Sequence, residues 1–174
     1  MTGSDDGSES SEKLAALASA YEPLSFLERS FVLAACALAL PDPASVERSE
    51  TGYLIFRWDT PVSEIGSLWA SIIPEEVVLS TRTSHQHFGR THFFPKRLSG
   101  RKLELRIAHD SAEQTASVLR GEVCDTTSYD AGGQRHSNGW VPTDRLAEAL
   151  AYSRKVFGEG MTMRAWNWFG EVAV

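Results

Sequence analysis

The chain has 174 residues, with 17 Lys and Arg against 23 Asp and Glu, a formal net charge of −6. At 42% hydrophobic and 23% charged residues it has the composition of an ordinary globular protein with enough length for a substantial core. The acidic balance excludes a protein that coats nucleic acid with its whole surface, and two cysteines, Cys36 and Cys124, are too few for a disulfide framework.

Met1 to Glu12 is rich in Ser, Gly, Asp and Glu, the composition of a disordered acidic tail. It is acidic where a secretory leader is basic, so a cytoplasmic location is expected, with one globular domain over 13–174. Lys13 to Tyr21 is Ala- and Leu-rich and predicts a first helix. Ser25 and Glu28 have capping-box spacing, with Glu28 reaching back to the Ser25 amide, and open a second helix over Phe26 to Leu40. Its apolar run is too short to span a bilayer, and Pro41 and Pro43 end it.

Tyr53 to Trp58, aromatic and β-branched, predicts a strand. Thr60-Pro61 has the form of a helix start, and a helix to Ile72 is expected. Val77 to Thr83 predicts another strand, and Ser84 to Phe94 an extended segment or hairpin turning at Gly89. Leu103 to Ala108 alternates apolar and polar residues and predicts a half-buried strand. Asp110 and Glu113 repeat the capping-box spacing, opening a helix to Gly121. Asp125 to Val141 lacks periodicity and predicts a long loop with Gly132-Gly133 as hinge. Thr143 caps a helix to Phe157 that stops at Gly158, and Met161 to Phe169 alternates as a closing strand. The expected class is α+β or α/β: a mixed, mostly antiparallel sheet of about five strands with helices packed on it, including two N-terminal helices.

The charge is unevenly distributed. Arg82 to His109 holds seven cations against the single acid Glu104, leaving ten cations against 22 acids elsewhere. The same stretch contains His85, His87, His92 and His109. Arginines give planar, bidentate recognition of carboxylate or phosphate, so Arg82, His85, His87, Arg90, His92 and His109 are candidates for an anionic ligand, with a histidine as general base if the site is catalytic. No metal or cofactor is expected, because the stretch lacks the carboxylates or thiolates that gather a cation. Phe88, Phe93 and Phe94 sit among the cations, yet the acidic remainder argues against nucleic acid. The Asp125–Val141 segment offers Tyr129, Arg135, His136 and Trp140 as binding-loop candidates.

No complete catalytic constellation is present. Cys124 lies after a helix and not at a helix N-terminus, where a thiolate is stabilised. A non-enzymatic module that binds another protein is therefore the first expectation, of the kind shown by small acidic bacterial immunity proteins that block a toxin's basic cleft. Asp42, Glu47, Glu50, Asp59, Glu75 and Glu76 are candidate contacts, as is a face formed by Arg164, Trp166 and Trp168. The alternative is a small enzyme or binding domain for a phosphorylated or carboxylated compound. Neither expectation involves a membrane.

Overall fold

The computed structural model describes residues 14–91 and 98–174. Among the described residues the fold is α+β, with four helices and two antiparallel sheets of five and four strands. Its described residues form two compact units. No helix among them is long and apolar enough to cross a membrane.

The first unit takes the described residues up to Asp59, then Leu68–Leu79 and Gln86–Ala116. It begins with a helix described over 14–19 (α1) and continues with α2, Phe26–Ala37. The capping box at the start of α2 is present. The Ser25 amide donates to Glu28 Oε2 at 2.7 Å and the Glu28 amide donates to Ser25 Oγ at 3.2 Å. Glu28 is buried, and its other oxygen accepts from Arg48 Nη1 at 2.9 Å. The same guanidinium donates to the carbonyls of Gly52 and Tyr21, so a single arginine ties three chain segments together.

The larger sheet has the order β1 (Ser45–Arg48), β2 (Leu54–Trp58), β3 (Leu68–Ile73), β4 (Glu76–Ser80) and β5 (His85–Phe88). Its burial alternates with period two: Leu54, Phe56 and Trp58, then Leu68, Ala70 and Ile72, then Val77 and Leu79. The Phe56 ring lies 5.5 Å from Phe31 of α2 and 6.1 Å from Trp58, which joins this sheet face to a helix. The expected helix from Pro61 is absent. Residues 61–67 make a turn, and β3 follows. The 20-residue helix α3, Gly100–Leu119, replaces both the expected strand at Leu103–Ala108 and the expected helix start at Asp110. Leu103, Ile107, Ser111, Ala112, Thr115 and Ala116 are its buried stripe, at helical spacing.

The second unit takes Thr60–Ser67, Ser80–His85 and Ser117–Val174. Its sheet has the order β7 (Arg135–Pro142), β6 (Val123–Tyr129), β8 (Thr162–Asn167) and β9 (Gly170–Val172). The expected loop over Asp125–Val141 is in fact the β6–β7 hairpin. Its turn is closed by Asp130, whose Oδ1 accepts from the amides of Gly132 and Gln134 at 2.9 Å, with Gly133 at φ +76°. A short 3-10 turn, Thr143–Arg145, leads into α4, Leu146–Phe157. Thr143 does not cap it, because its hydroxyl donates to the Gly121 carbonyl at 2.9 Å. On one face of this sheet Cys124, Ala165 and Leu146 pack with Val141, Met163 and Val172. On the other, Trp166 packs with Val62, Ile65 and Trp168.

Candidate functional site

The cationic candidates are mostly engaged by their own chain. In the first unit, His87 is exposed on β5 and its Nδ1 lies 2.7 Å from Glu76 Oε1 on β4. Arg90 is exposed and lines a recess of about 110 Å3 with Glu75, Glu104, Ser99, Gly100, Leu103 and Ile107. Two acids in that lining oppose an anion. His109, on α3, has Nδ1 at 3.5 Å from Asp110 and 3.4 Å from Glu113, and Asp110 also takes Arg106 Nε at 2.8 Å.

In the second unit, Arg82 donates from its backbone to the Ile65 carbonyl at 2.8 Å and from Nη1 to the Ser63 carbonyl at 3.0 Å. It braces the 60–67 turn. His85 is exposed at the start of β5. His92, Phe93 and Phe94 lie outside the described residues, as does the expected tail over 1–12. Carboxylates, and not an open ring of cations, lie beside His87 and His109.

The acidic and aromatic candidates are similarly tied. Asp59 pairs with Arg57 at 3.2 Å, Glu76 is held by His87, and Glu75 sits exposed at the β3–β4 turn with φ +64°. Arg164 stacks 4.6 Å above the Trp166 ring and donates from Nε to Glu171 at 3.0 Å. That bond is the main reason its guanidinium holds its proton more tightly than usual. Trp166 is buried and Trp168 half-buried against it. Trp166 and Trp168 are therefore covered, and Arg164 stays exposed beside them.

The strand β6 is unusual for a central strand. Asp125, Thr126, Thr127 and Ser128 are all buried, and each needs a partner. Asp125 accepts from Thr81 Oγ1 at 2.5 Å and from Ser84 Oγ at 2.6 Å. Asn138 Nδ2 donates to Ser84 Oγ at 3.3 Å and to the Thr83 carbonyl, which also accepts from Arg135. Thr126 Oγ1 donates to the Gly139 carbonyl at 2.8 Å. Asp125 thus pins the Thr81–Ser84 turn onto the sheet. The recess beside it, lined by Trp140, Trp166 and Trp168 among others, has about 10 Å3, the size for one water. Cys124, on the opposite face, is a protonated thiol whose pKa burial pushes above the ordinary value.

The open feature of this unit lies between β7 and α4. Trp140, Val141 and Pro142 form one wall, and Arg145, Glu148, Ala149 and Tyr152 form the other, around a groove of about 390 Å3. Arg145 and Glu148 satisfy each other, with Arg145 Nε donating to Glu148 Oε2 at 2.9 Å. The groove is therefore electrically neutral and aromatic at two points. Further along α4, Phe157 meets the His136 ring edge-on at 4.3 Å. Tyr152, Val156 and Phe157 keep 65%, 49% and 53% of their surface exposed. Of the four residues expected on a binding loop, Trp140 lines this groove and His136 flanks the same helix. Arg135 braces Thr83, and Tyr129 ends β6 half-buried. Sequence reading missed Arg145, Tyr152, Val156 and Phe157. The available signal was Tyr152 and Val156, four residues apart on a face of α4 away from Leu146.

The chain matches no family model, no curated protein and no solved structure.

Proposed function

We propose that the protein is a non-enzymatic module that binds another protein through the β7–α4 surface. The observation that carries this reading is the groove: Trp140 and Tyr152 in its lining, a self-neutralised ion pair, and adjoining exposed Tyr152, Val156 and Phe157 on one helix. Large aromatics in a desolvated pocket are where binding energy concentrates. The acids proposed for a basic, toxin-like partner support it less, because Asp59 already pairs with Arg57 and Glu76 already bonds His87 on this chain. The test is capture from the source cells with immobilised chain, comparing wild type with Tyr152→Ala. A hot-spot tyrosine contributes about 2 kcal/mol, so the variant is expected to bind roughly 30-fold more weakly. A stoichiometric partner retained equally by Tyr152→Ala, or no such partner, would refute the proposal.

A further inference from the structure

We propose that α3 carries a site for a divalent first-row cation of the zinc class, held by His109, Asp110 and Glu113. The site belongs to the first unit and does not rest on the β7–α4 reading.

A helix sets residues i and i+4 on one face, about 5–6 Å apart at Cβ, so His109 and Glu113 of α3 reach the same point. Asp110 joins them from the next position, and one donor atom from each of the three lies within 4.8 Å of the others. The cationic stretch ends at His109, and the helix supplies the two carboxylates that a cation needs from just beyond that end.

The distances separate this group from a plain ion pair. His109 Nδ1 is 3.5 Å from Asp110 Oδ1 and 3.4 Å from Glu113 Oε2. Both are longer than an N–H···O hydrogen bond, at about 2.7–3.2 Å. Ligands held about 2.1 Å from a tetrahedral zinc ion stand about 3.4 Å from one another. Nδ1 therefore sits at ligand-to-ligand spacing from both carboxylates, and the exposed Glu113 side chain can rotate to bring the third edge to the same length. His87 differs: its Nδ1 bonds Glu76 directly at 2.7 Å, with no room for an ion between them.

A second observation points to a ligand. Asp110 Oδ1, the oxygen that faces His109, is buried and accepts no hydrogen bond among the described residues. Such an atom calls for a partner. Arg106 Nε lies 2.8 Å from Oδ1 but gives its hydrogen bond to Oδ2, also at 2.8 Å. That bond orients the carboxylate, as an outer partner of a metal ligand does. The Arg106 charge opposes a cation, yet Asp110 and Glu113 outweigh it by one when His109 is neutral, the form that ligates. Imidazole beside carboxylates suits zinc-class ions, whereas calcium and magnesium take oxygen ligands. Three protein ligands leave the fourth position to water.

The experiment is calorimetric titration of the full chain, free of any affinity tag, with ZnCl2 and separately with MgCl2 in a non-chelating buffer. Wild type is expected to bind one Zn2+ per chain with a Kd below about 100 µM and to show no Mg2+ binding in that range. His109 and Glu113 keep 55% and 54% of their side-chain surface exposed, so His109→Ala and Glu113→Gln are expected to fold, which thermal unfolding without metal checks. Each is expected to weaken Zn2+ binding by at least about 10-fold, while His87→Ala binds like wild type. Absence of one-to-one Zn2+ binding, equal binding of Mg2+, or folded His109→Ala and Glu113→Gln variants that keep the wild-type Kd would overturn the site. So would loss of binding in His87→Ala.

Discussion

Removing the Asp125 carboxylate is the sharpest test of how the second unit is held together. The group is buried and accepts two hydroxyl bonds, from Thr81 at 2.5 Å and Ser84 at 2.6 Å. A hydrogen bond to a charged group contributes about 1.5–3 kcal/mol, so two give a gross range of about 3–6 kcal/mol. The loss leaves the Thr81 hydroxyl a second acceptor but takes away the acceptor of the buried Ser84 O–H. Thr81 Oγ1 keeps the Ser84 carbonyl at 3.2 Å, and Ser84 Oγ keeps Asn138 Nδ2 at 3.3 Å. The full range therefore applies, and Asp125→Ala is expected to destabilise by about 3–6 kcal/mol, over 100-fold in the unfolding equilibrium. Asp125→Asn retains one acceptor and is expected to lose about 1–2 kcal/mol. Urea unfolding followed by tryptophan fluorescence suits the question, because Trp140 and Trp166 line the same recess. The midpoint should fall at an unchanged slope. A loss below about 1 kcal/mol for the alanine variant would refute the account. So would strict additivity of Asp125→Ala with Ser84→Ala, because directly bonded residues must show coupling.

Three further outcomes follow from single residues. Arg48→Ala leaves Glu28 buried with its capping bonds but no cation, and is expected to destabilise the first unit by about 2–4 kcal/mol in thermal or urea unfolding, below the loss for a fully buried pair because Arg48 is partly exposed. Gly121 sits at φ +72°, and a Cβ there would lie 2.9 Å from the Phe169 ring, so Gly121→Ala is expected to cost about 1–3 kcal/mol and lower the Tm. Burial raises the pKa of Cys36 and Cys124 above the ordinary thiol value of 9.0. The unfolded chain then loses these protons first as pH rises. The stability they contribute is complete below pH 9 and declines above it, a decline that Cys124→Ser should reduce in urea midpoints measured across that range.

The parts of this fold that were legible in sequence are those where a local signal and the tertiary structure agree. Ser25 and Glu28 form the capping box that their spacing predicts, and Leu54, Phe56 and Trp58 bury one face of a strand. The misread stretches have a competing cause that only the folded chain reveals. Thr60 resembles a helix cap, but its hydroxyl accepts the Val62 amide at 3.1 Å and donates to the Trp168 carbonyl at 3.0 Å. Leu103, Leu105 and Ile107 alternate like a strand only because Leu105 is left 51% exposed on a helix. Asp110 and Ser111 resemble a helix start, yet Asp110 pairs back to Arg106, and the Ser111 hydroxyl donates to the Ile107 carbonyl at 2.7 Å within the helix. The largest miss, the β6–β7 hairpin, has the same origin as the candidate surface. Its central strand buries Asp125, Thr126, Thr127 and Ser128, whose polarity conceals burial in any hydrophobic pattern. The sequence did hold a usable sign there: consecutive Thr126-Thr127 before an Asp130–Gly133 turn. A strand that is polar yet buried needs its partners supplied by the flanking chain, and here the Thr81–Ser84 turn and Asn138 supply them. Asn138 and Arg135 of β7 both donate to this turn. They fix the strand beside the α4 groove that is proposed above as the partner surface.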